Sequence, residues 1–337
     1  MRQYTIKRIG LFIPTVLLVT VIVFVVMRLI PGDPALAILS ADDAAYTEDE
    51  LRLLRIELGT DRPLVIQYVG WIGGLARGDF GTSFWWGGPV IDRLGERIPV
   101  TIELALLGIG LAVVCAVPLG VLSAIKPDGL IDYLSRVFTL VGISIPTFFS
   151  GILLTLILIR AFGWLPPLGY EDIWEDPWAN VKQLVLPALA LGFYEDPWTN
   201  IRQMFLPALA LGFYDMAFIA RVTRSSMMEI IREDYMRTAR AKGLAERIVL
   251  VRHGLKNAVL PILTISGWQF GRLFGGTVII ESIFRVPGIG TLLIETVFQR
   301  DFPTIQAIII VVSVSIVLIN LLVDLLYGWM DPRIRYA

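Results

Sequence analysis

Apolar residues are collected into long runs along the chain, and polar segments separate one run from the next. A helix that crosses a lipid bilayer needs about 20 mostly apolar residues. Six stretches approach or exceed that length: Ile9–Ile30, Ile102–Ile125, Phe138–Phe162, Met204–Ala220, Val259–Ile280 and Ile305–Tyr327. The pattern therefore predicts an all-α membrane protein with six transmembrane helices.

The basic residues between these runs predict an orientation, because Lys and Arg collect on the cytoplasmic side of a membrane protein. The N-terminus, the short loop before the third run and the segment 221–256 are all basic, and so is the tail 331–337. Both termini are therefore predicted to be cytoplasmic. Residues 1–30 then form the first transmembrane helix, 31–99 a long extracytoplasmic segment, and 100–330 a core with the other five helices.

Composition supports a membrane protein and excludes several other classes. Of the 337 residues, 55% are hydrophobic and only 18% are charged, with a net charge of −1 that gives no reason to expect nucleic-acid binding. The chain has one cysteine, Cys115, and one histidine, His253, so an intrachain disulfide is ruled out and a metal cluster is not expected. The first run is too long for a signal peptide and no small-residue cleavage site follows it, which predicts a retained helix.

The extracytoplasmic segment 31–99 is predicted to be helical in part. Thr47 and Glu50 form a capping-box pattern that opens a short helix, and Gly59 is a plausible stop signal. A second short amphipathic piece is expected over Tyr68–Leu75. The aromatic residues of this segment either anchor it at the membrane surface or bind a partner, and the sequence does not decide between the two.

A tandem duplication precedes the fourth apolar run. Glu175–Tyr194 and Glu195–Tyr214 are near-copies of one unit of 20 residues. Each copy has only about ten apolar residues, too few to span a bilayer. Because only the second copy continues into an apolar run, it is predicted to build the fourth helix, while the first lies on the outer surface.

The segment from Asp215 to Lys256 carries nine Lys or Arg residues against five Asp or Glu residues. Its middle part has the composition of a helix, which Gly243 ends. We expect a short helix that lies across the cytoplasmic surface between the fourth and fifth spans. Small residues would let another protein approach closely there, with basic residues around them. The alternative is an anchor that only fixes the topology.

Polar residues inside the spans are costly in lipid and often functional. Gln269 and Arg272 are three residues apart and share one face of the fifth span, and Glu281 lies near its outer end. These three residues are predicted to line a translocation pathway. The alternative for Arg272 is a structural pair with an acid on a neighbouring subunit. Asp324, near the cytoplasmic end of the sixth span, is predicted to be structural.

Several motifs in order along the chain resemble one family. DYMRTARAKGL (Asp234–Leu244) and RHGLKNAVLP (Arg252–Pro261) are similar to the cytoplasmic loop signature of ABC importer permeases of the dipeptide, oligopeptide and nickel branch. The resemblance extends over nearly the whole chain through RLIPGDPA (Arg28–Ala35), the stretch Leu58–Phe84, ISIPTFFSGILL (Ile143–Leu154) and Gln269–Leu293. The chain departs from the broader signature, which has Glu-Ala-Ala where Arg237, Thr238 and Ala239 stand and proline where Lys256 stands.

The resemblance implies a transport subunit rather than an enzyme, in a bacterial or archaeal cytoplasmic membrane. Its implied partners are a second homologous permease subunit, two ATP-binding subunits and an extracytoplasmic solute-binding protein. ATP and Mg²⁺ would be bound by the partner ATPases, since the chain has no GxxxxGK[ST] phosphate loop. The short cytoplasmic helix would then be a coupling helix that contacts the ATPases, through Tyr235, Arg237, Thr238, Ala239, Ala241, Lys242 and Gly243.

The implied cargo is a di- or oligopeptide. A nickel chelate, glutathione or a sugar is also compatible with the family, since much of the specificity resides in the binding protein. Two readings outside this family remain at the level of sequence: a channel or secondary transporter that works without an ATPase, and a membrane-anchored scaffold. The compact basic segment disfavours the first, and Gln269 and Arg272 within a span disfavour the second.

Overall fold

The computed structural model describes residues 2–29, 33–39, 46–57, 59–162 and 197–330. Over these residues the chain is almost entirely helical, and the only extended pairing among them is an isolated bridge between Thr82 and Pro89. The all-α prediction is thereby confirmed. The first copy of the duplicated unit, Glu175–Tyr194, lies outside the described residues, as does the tail 331–337.

The helices follow one another in a fixed order. The N-terminal part of the chain contributes the first five, which are α1 (Arg2–Leu29), α2 (Pro34–Leu39), α3 (Glu48–Glu57), α4 (Leu64–Leu75) and α5 (Val90–Ile125). The next four are α6 (Leu130–Ser144), α7 (Thr147–Phe162), α8 (Pro197–Ile231) and α9 (Asp234–Ala241). A short helix, Glu246–Ile248, and a π-helical stretch, Val249–Leu255, run directly into α10 (Lys256–Phe284), followed by α11 (Ile289–Gln299) and α12 (Phe302–Met330).

Five helical segments of the described chain are long and apolar enough to cross a membrane. They correspond to the first, second, fourth, fifth and sixth predicted spans, at Tyr4–Leu29, Val90–Ile125, Met204–Ile231, Glu246–Gly275 and Phe302–Leu326. If two bent helix pairs are each counted as a span, the number rises to seven. The second copy of the duplicated unit runs into α8, as predicted, and α5 begins at Val90, inside the segment that the sequence assigns to the extracytoplasmic side.

The predicted third span over Phe138–Phe162 is not one continuous helix. It consists of α6 and α7, which meet at an angle of 111°. The break falls at Ile145, which adopts an extended conformation with φ −87° and ψ 123° immediately before Pro146. Proline disfavours a helical conformation in the residue that precedes it and donates no backbone hydrogen bond, so the chain turns at this point.

The centre of the bundle is the contact between α5 and α8. At Gly108 and Gly212 the two backbones approach so closely that a Cβ on Gly212 would collide with the Gly108 carbonyl oxygen. A second close approach brings Gly142 of α6 against Ala217 of α8. Small residues at helix crossings are typical of membrane proteins, in which van der Waals packing rather than the hydrophobic effect holds helices together.

The outer segment is tied to the bundle at two places. Tyr68 and Trp71 of α4 pack against Phe24 of α1, edge-on and tilted respectively, with ring centroids 5.4 and 5.9 Å from that of Phe24. Further on, the Ser83 hydroxyl donates a hydrogen bond to Asp301, which also accepts one from the Thr304 hydroxyl at 2.7 Å. Asp301 therefore joins the loop before α5 to the start of α12.

The predicted capping box at the start of α3 is confirmed. The Thr47 backbone N–H donates to Glu50 at 2.7 Å, and the Glu50 backbone N–H donates to the Thr47 hydroxyl at 3.3 Å. Hydrogen bonds from the backbone and the hydroxyl of Thr47 lower the pKa of the Glu50 carboxyl. Gly59, just after α3, has a φ of +65°, which fits its predicted role as a stop signal.

Candidate functional site

The short polar helix α9 lies between two spanning helices, as predicted. It begins after a break at Glu233, whose extended backbone (φ −65°, ψ 147°) ends the helical path of α8. It ends at Lys242 and Gly243, and Gly243 has a φ of +76°. Glycine reaches this left-handed region without strain, so the predicted helix stop at Gly243 is confirmed.

One face of α9 is buried against the rest of the chain. Met236 is fully buried, and Ala239 and Val249 complete a small apolar cluster with it. The Met236 side chain extends to Gly254 in the π-helical stretch, where a Cβ on the glycine would lie 3.3 Å from the Met236 methyl carbon. Met236 therefore packs α9 against Gly254, in the π-helical stretch that leads into α10.

The opposite face of α9 is exposed. Tyr235 is 40% exposed, and the side chain of Arg237 is 83% exposed. The other predicted contact residues that face outward are Thr238, Ala241, Lys242 and Gly243. Ala239 is the exception: it is 7% exposed and points into the apolar cluster, so the prediction that it offers surface to a partner is corrected.

Polar contacts fix α9 on both sides. The Arg240 guanidinium donates to the Glu246 carboxylate at 3.1 to 3.3 Å and reaches the Ile231 carbonyl oxygen at 3.5 Å. At the other end of the helix, the Asn257 amide donates to the Tyr235 hydroxyl at 2.9 Å. α9 is thus connected to the last turn of α8 and the first turn of α10, and it is held as a rigid element rather than a free loop.

A buried carboxylate that sequence reasoning missed lies at the same end of the bundle. Asp132, the third residue of α6, is fully buried and accepts hydrogen bonds from Ser123 of α5 at 2.6 Å and from the Asp128 backbone N–H at 2.9 Å. Arg224 of α8 forms a two-pronged ion pair with it, and Arg136 lies 3.0 Å away. The sequence did contain a signal for this site, because Asp132 and Arg136 are four residues apart just before the predicted third span.

Two of the three predicted pathway residues form one polar cluster in the middle of the bundle. Arg272 of α10 donates to Gln269 at 3.1 Å and pairs with Asp215 of α8 at 2.7 Å. Its guanidinium carbon also lies 4.4 Å from the centre of the Tyr214 ring. Asp215 and Gln269 are fully buried, whereas the Arg272 side chain is 38% exposed. The acid that pairs with Arg272 is therefore Asp215 of the same chain, and the pair does not require a neighbouring subunit.

Glu281 does not join this cluster. It is fully buried near the end of α10, where it accepts hydrogen bonds from the Thr101 hydroxyl at 2.7 Å and from the backbone N–H groups of Gly290 and Thr291 at 2.7 and 3.1 Å. These bonds satisfy the start of α11 and close the 86° turn between α10 and α11. These contacts favour a structural role for Glu281 over the predicted role in the pathway.

Asp324, for which the sequence predicts a structural role, pairs with a residue of the first helix. Arg8 of α1 pairs with its carboxylate at 2.5 Å, and the Tyr4 hydroxyl donates to its carbonyl oxygen at 3.2 Å. The pair ties the first spanning helix to the last.

Among the residues that the structure describes, no group of three or more His, Cys, Asp or Glu side chains is arranged to hold a metal ion.

Two protein-family models match the chain. Residues 116–336 match the family described as binding-protein-dependent transport system inner membrane component, and residues 1–105 match the model for the N-terminal part of such membrane components. The chain belongs to this family. It is therefore a permease, a multi-pass component of the cytoplasmic membrane, in agreement with its apolar helices.

Curated relatives align with the permease from end to end. A dipeptide transport system permease of Alkalihalophilus pseudofirmus is 40% identical, with 100% of each chain covered. An oligopeptide transport system permease of Bacillus subtilis is 37% identical and a glutathione transport system permease of Pectobacterium atrosepticum is 39% identical, again over 100% of each chain. The family resemblance that the motifs predict is confirmed.

Proposed function

We propose that this permease is the membrane-spanning subunit of an ATP-driven ABC importer, in which α9 is the coupling helix. The observation that carries the proposal is the seating of α9: one face is anchored in the bundle, and the other is exposed and basic. A rigid helix held in this way can pass a push from a partner to the spanning helices, which a floppy loop cannot do.

The proposed partners are two ATP-binding subunits, which bind the ATP and Mg²⁺, together with a second homologous permease and an extracytoplasmic binding protein. Membership of a family defined by binding-protein-dependent transport supports partners of this kind. The exposed residues Tyr235, Arg237, Thr238, Ala241 and Lys242 are the proposed contact with the ATPase, and Gly243 sets the end of the contact helix. Ala239 supports the helix from beneath.

The proposed topology has six spans with both termini in the cytoplasm. The bent pair α6 and α7 completes one crossing, and α9 then lies on the same side as the N-terminus. The distribution of basic residues supports this arrangement, since Arg136, Arg224 and Arg240 all lie at the α9 end of the bundle, whereas the short connections on either side of α11 carry two, Arg285 and Arg300.

The proposed translocation pathway passes Arg272 and Gln269. Arg272 lies near the middle of α10, and its side chain remains 38% exposed in the isolated chain. A guanidinium at that depth is too costly to face lipid, so this face must be covered by the second permease or must border a water-filled path. The buried Gln269 Nε2 donor and Asp215 Oδ2 acceptor have no partner among the described residues.

The proposed cargo is a peptide. The relatives that support it are named for dipeptide, oligopeptide and glutathione transport. The polar cluster supports it as well, since the partly exposed Arg272 guanidinium can donate to a peptide carbonyl or carboxylate oxygen. A nickel chelate or a sugar is the second candidate within the family.

Co-purification with an ATPase tests the function. Affinity purification of the tagged permease from its native membrane should yield ATP-binding subunits in a stoichiometric complex, and proteoliposomes of that complex with the binding protein should take up peptide only when ATP is supplied. Peptide uptake by the permease alone, driven by an ion gradient, would indicate a secondary transporter and would contradict the proposal.

A pair of charge-removing variants tests the pathway. Arg272→Ala alone would leave Asp215 buried and unpaired, at a cost of up to about 3–5 kcal/mol, so the double variant Asp215→Asn/Arg272→Gln is the better probe. We expect this double variant to assemble normally but to take up peptide about tenfold more slowly, since loss of roughly 1.4 kcal/mol of interaction lowers a rate tenfold. The matched control is Arg8→Gln/Asp324→Asn, which removes a peripheral pair and should transport at the wild-type rate. Equal uptake by both double variants would remove Arg272 from the pathway.

A further inference from the structure

An open cavity of about 460 Å³ lies beside the Leu29 end of α1, and residues of α3 and α4 also line it. The cavity is at the end of a spanning helix and thus at the level of the lipid headgroups, whichever way the helix is oriented. It plays no part in the coupling helix or the polar cluster of the pathway.

Among the described residues that line the cavity, one cation has no carboxylate partner. Arg55 and Asp33 form an ion pair at 2.6 Å, so these two charges neutralise each other. Arg28 lies 5.2 Å from the centre of the Phe24 ring, and none of the described carboxylates forms an ion pair with it. A guanidinium with a ring on one side and the cavity on the other presents a positive charge to an occupant.

The remaining lining is apolar or uncharged. Val25, Leu29 and Leu64 are 46%, 75% and 60% exposed, and they continue the apolar surface of α1 to the rim of the cavity. Gln67 is held in place by the hydrogen bonds that its Nε2 donates to the carbonyl oxygens of Thr60 and Arg62. The cavity therefore combines a cation with an apolar rim.

We propose that this cavity binds the headgroup of an anionic phospholipid. The phosphodiester pairs with Arg28, and the acyl chains lie along Val25 and Leu29. A zwitterionic lipid fits less well, because its ammonium group would be placed near two guanidinium groups while the carboxylate of Asp33 is already paired with Arg55.

Lipid retention by the assembled transporter tests this site. The complex is purified from bicelles with equal phosphatidylglycerol and phosphatidylcholine, and the retained lipids are counted by native mass spectrometry. We expect preferential retention of phosphatidylglycerol, reduced about fivefold in Arg28→Gln and largely kept in Arg28→Lys, since one interfacial charge changes the affinity by about this factor. The matched control is Arg52→Gln on α3, outside the cavity, which should leave retention unchanged.

Three results would overturn the proposal. The first is equal phosphatidylglycerol retention by the wild type and Arg28→Gln, and the second is a wild type that retains phosphatidylcholine as well as phosphatidylglycerol, a comparison that needs no variant. The third is displacement of the lipid by millimolar inorganic phosphate, which would identify a free phosphate site instead.

Discussion

Gly243 shows at the level of one residue how the coupling helix is ended. Its φ is +76°, and an ideal Cβ built on it meets no atom within 4 Å. The requirement for glycine is therefore conformational rather than steric. A side chain would cost about 1–2 kcal/mol in this left-handed region, and more if it is β-branched, so the chain would relax by changing the end of α9.

Gly243→Val should consequently separate ATP hydrolysis from transport. We expect the complex to assemble and hydrolyse ATP, with peptide uptake per ATP lowered at least about fivefold, as measured in proteoliposomes. Gly243→Asn is the matched control, because asparagine tolerates the left-handed region, and it should transport almost normally. Uptake by Gly243→Val at the wild-type ratio would contradict this role of the helix end.

A variant of Glu281 tests whether this residue stabilises the fold or lines the translocation pathway. In Glu281→Gln a neutral amide would replace the carboxylate that accepts from Thr101 and from the backbone N–H groups, and the weaker hydrogen bonds would cost about 1–3 kcal/mol. We expect a lower unfolding temperature of the purified complex, while the peptide concentration for half-maximal uptake is unchanged. Glu295→Gln on α11 should change neither. A shift in peptide dependence with normal stability would return Glu281 to the pathway.

At this scale the sequence identified polar residues better than it identified their roles. Gln269 and Arg272 were recognisable because they share a face of one helix, but their link to Asp215 joins residues 57 positions apart. Ala239 and Ala241 are equally small in the sequence, and only the packing of Met236 shows which one is buried. Burial of the Glu281 carboxylate depends on a turn between helices that no periodicity reveals.

Helix crossings dominate at the scale of the elements. At the contact of α5 with α8, Gly212 lies directly against the Gly108 backbone. Gly212→Val should force these helices apart and reduce the amount of folded permease recovered from membranes, because overpacking costs about 1–3 kcal/mol or more. Gly110→Val is the control on α5, since nothing within this chain lies within 4 Å of its Cβ position, and it should be recovered at the wild-type level. Equal recovery of both variants would show that the crossing tolerates a larger separation.

The elements themselves were largely predictable, because long apolar runs, capping residues and glycine stops are local signals. The broken third span was not, although Pro146 marks its position. Pro118 and Pro207 lie within α5 and α8, and those helices continue through them. Whether a proline bends or interrupts a helix depends on the neighbours that satisfy the freed backbone groups, which are set by the tertiary structure.

At the scale of the whole molecule, the coupling helix α9 is connected to the bundle by neighbouring ion pairs as well as by its own packing. Arg224 lies in α8, one helix before α9, and its ion pair with buried Asp132 brings α5 and α6 into the same polar junction. On the other side, Arg240 and Glu246 join α9 to the start of the α10 helix. A displacement of α9 would therefore be carried to four helices of the bundle, which is the mechanical basis of the proposed function.

Site-specific crosslinking in intact membranes is the most direct test of the claim that α9 is held by an ATPase. The single cysteine, Cys115, is first replaced by alanine, and one cysteine is then introduced at Ala241, on the exposed face, or at Ala239, on the buried face. We predict that a short thiol crosslinker captures an ATP-binding subunit from Ala241→Cys and not from Ala239→Cys. Failure to capture an ATPase from Ala241→Cys, in membranes where the complex co-purifies, would contradict the account.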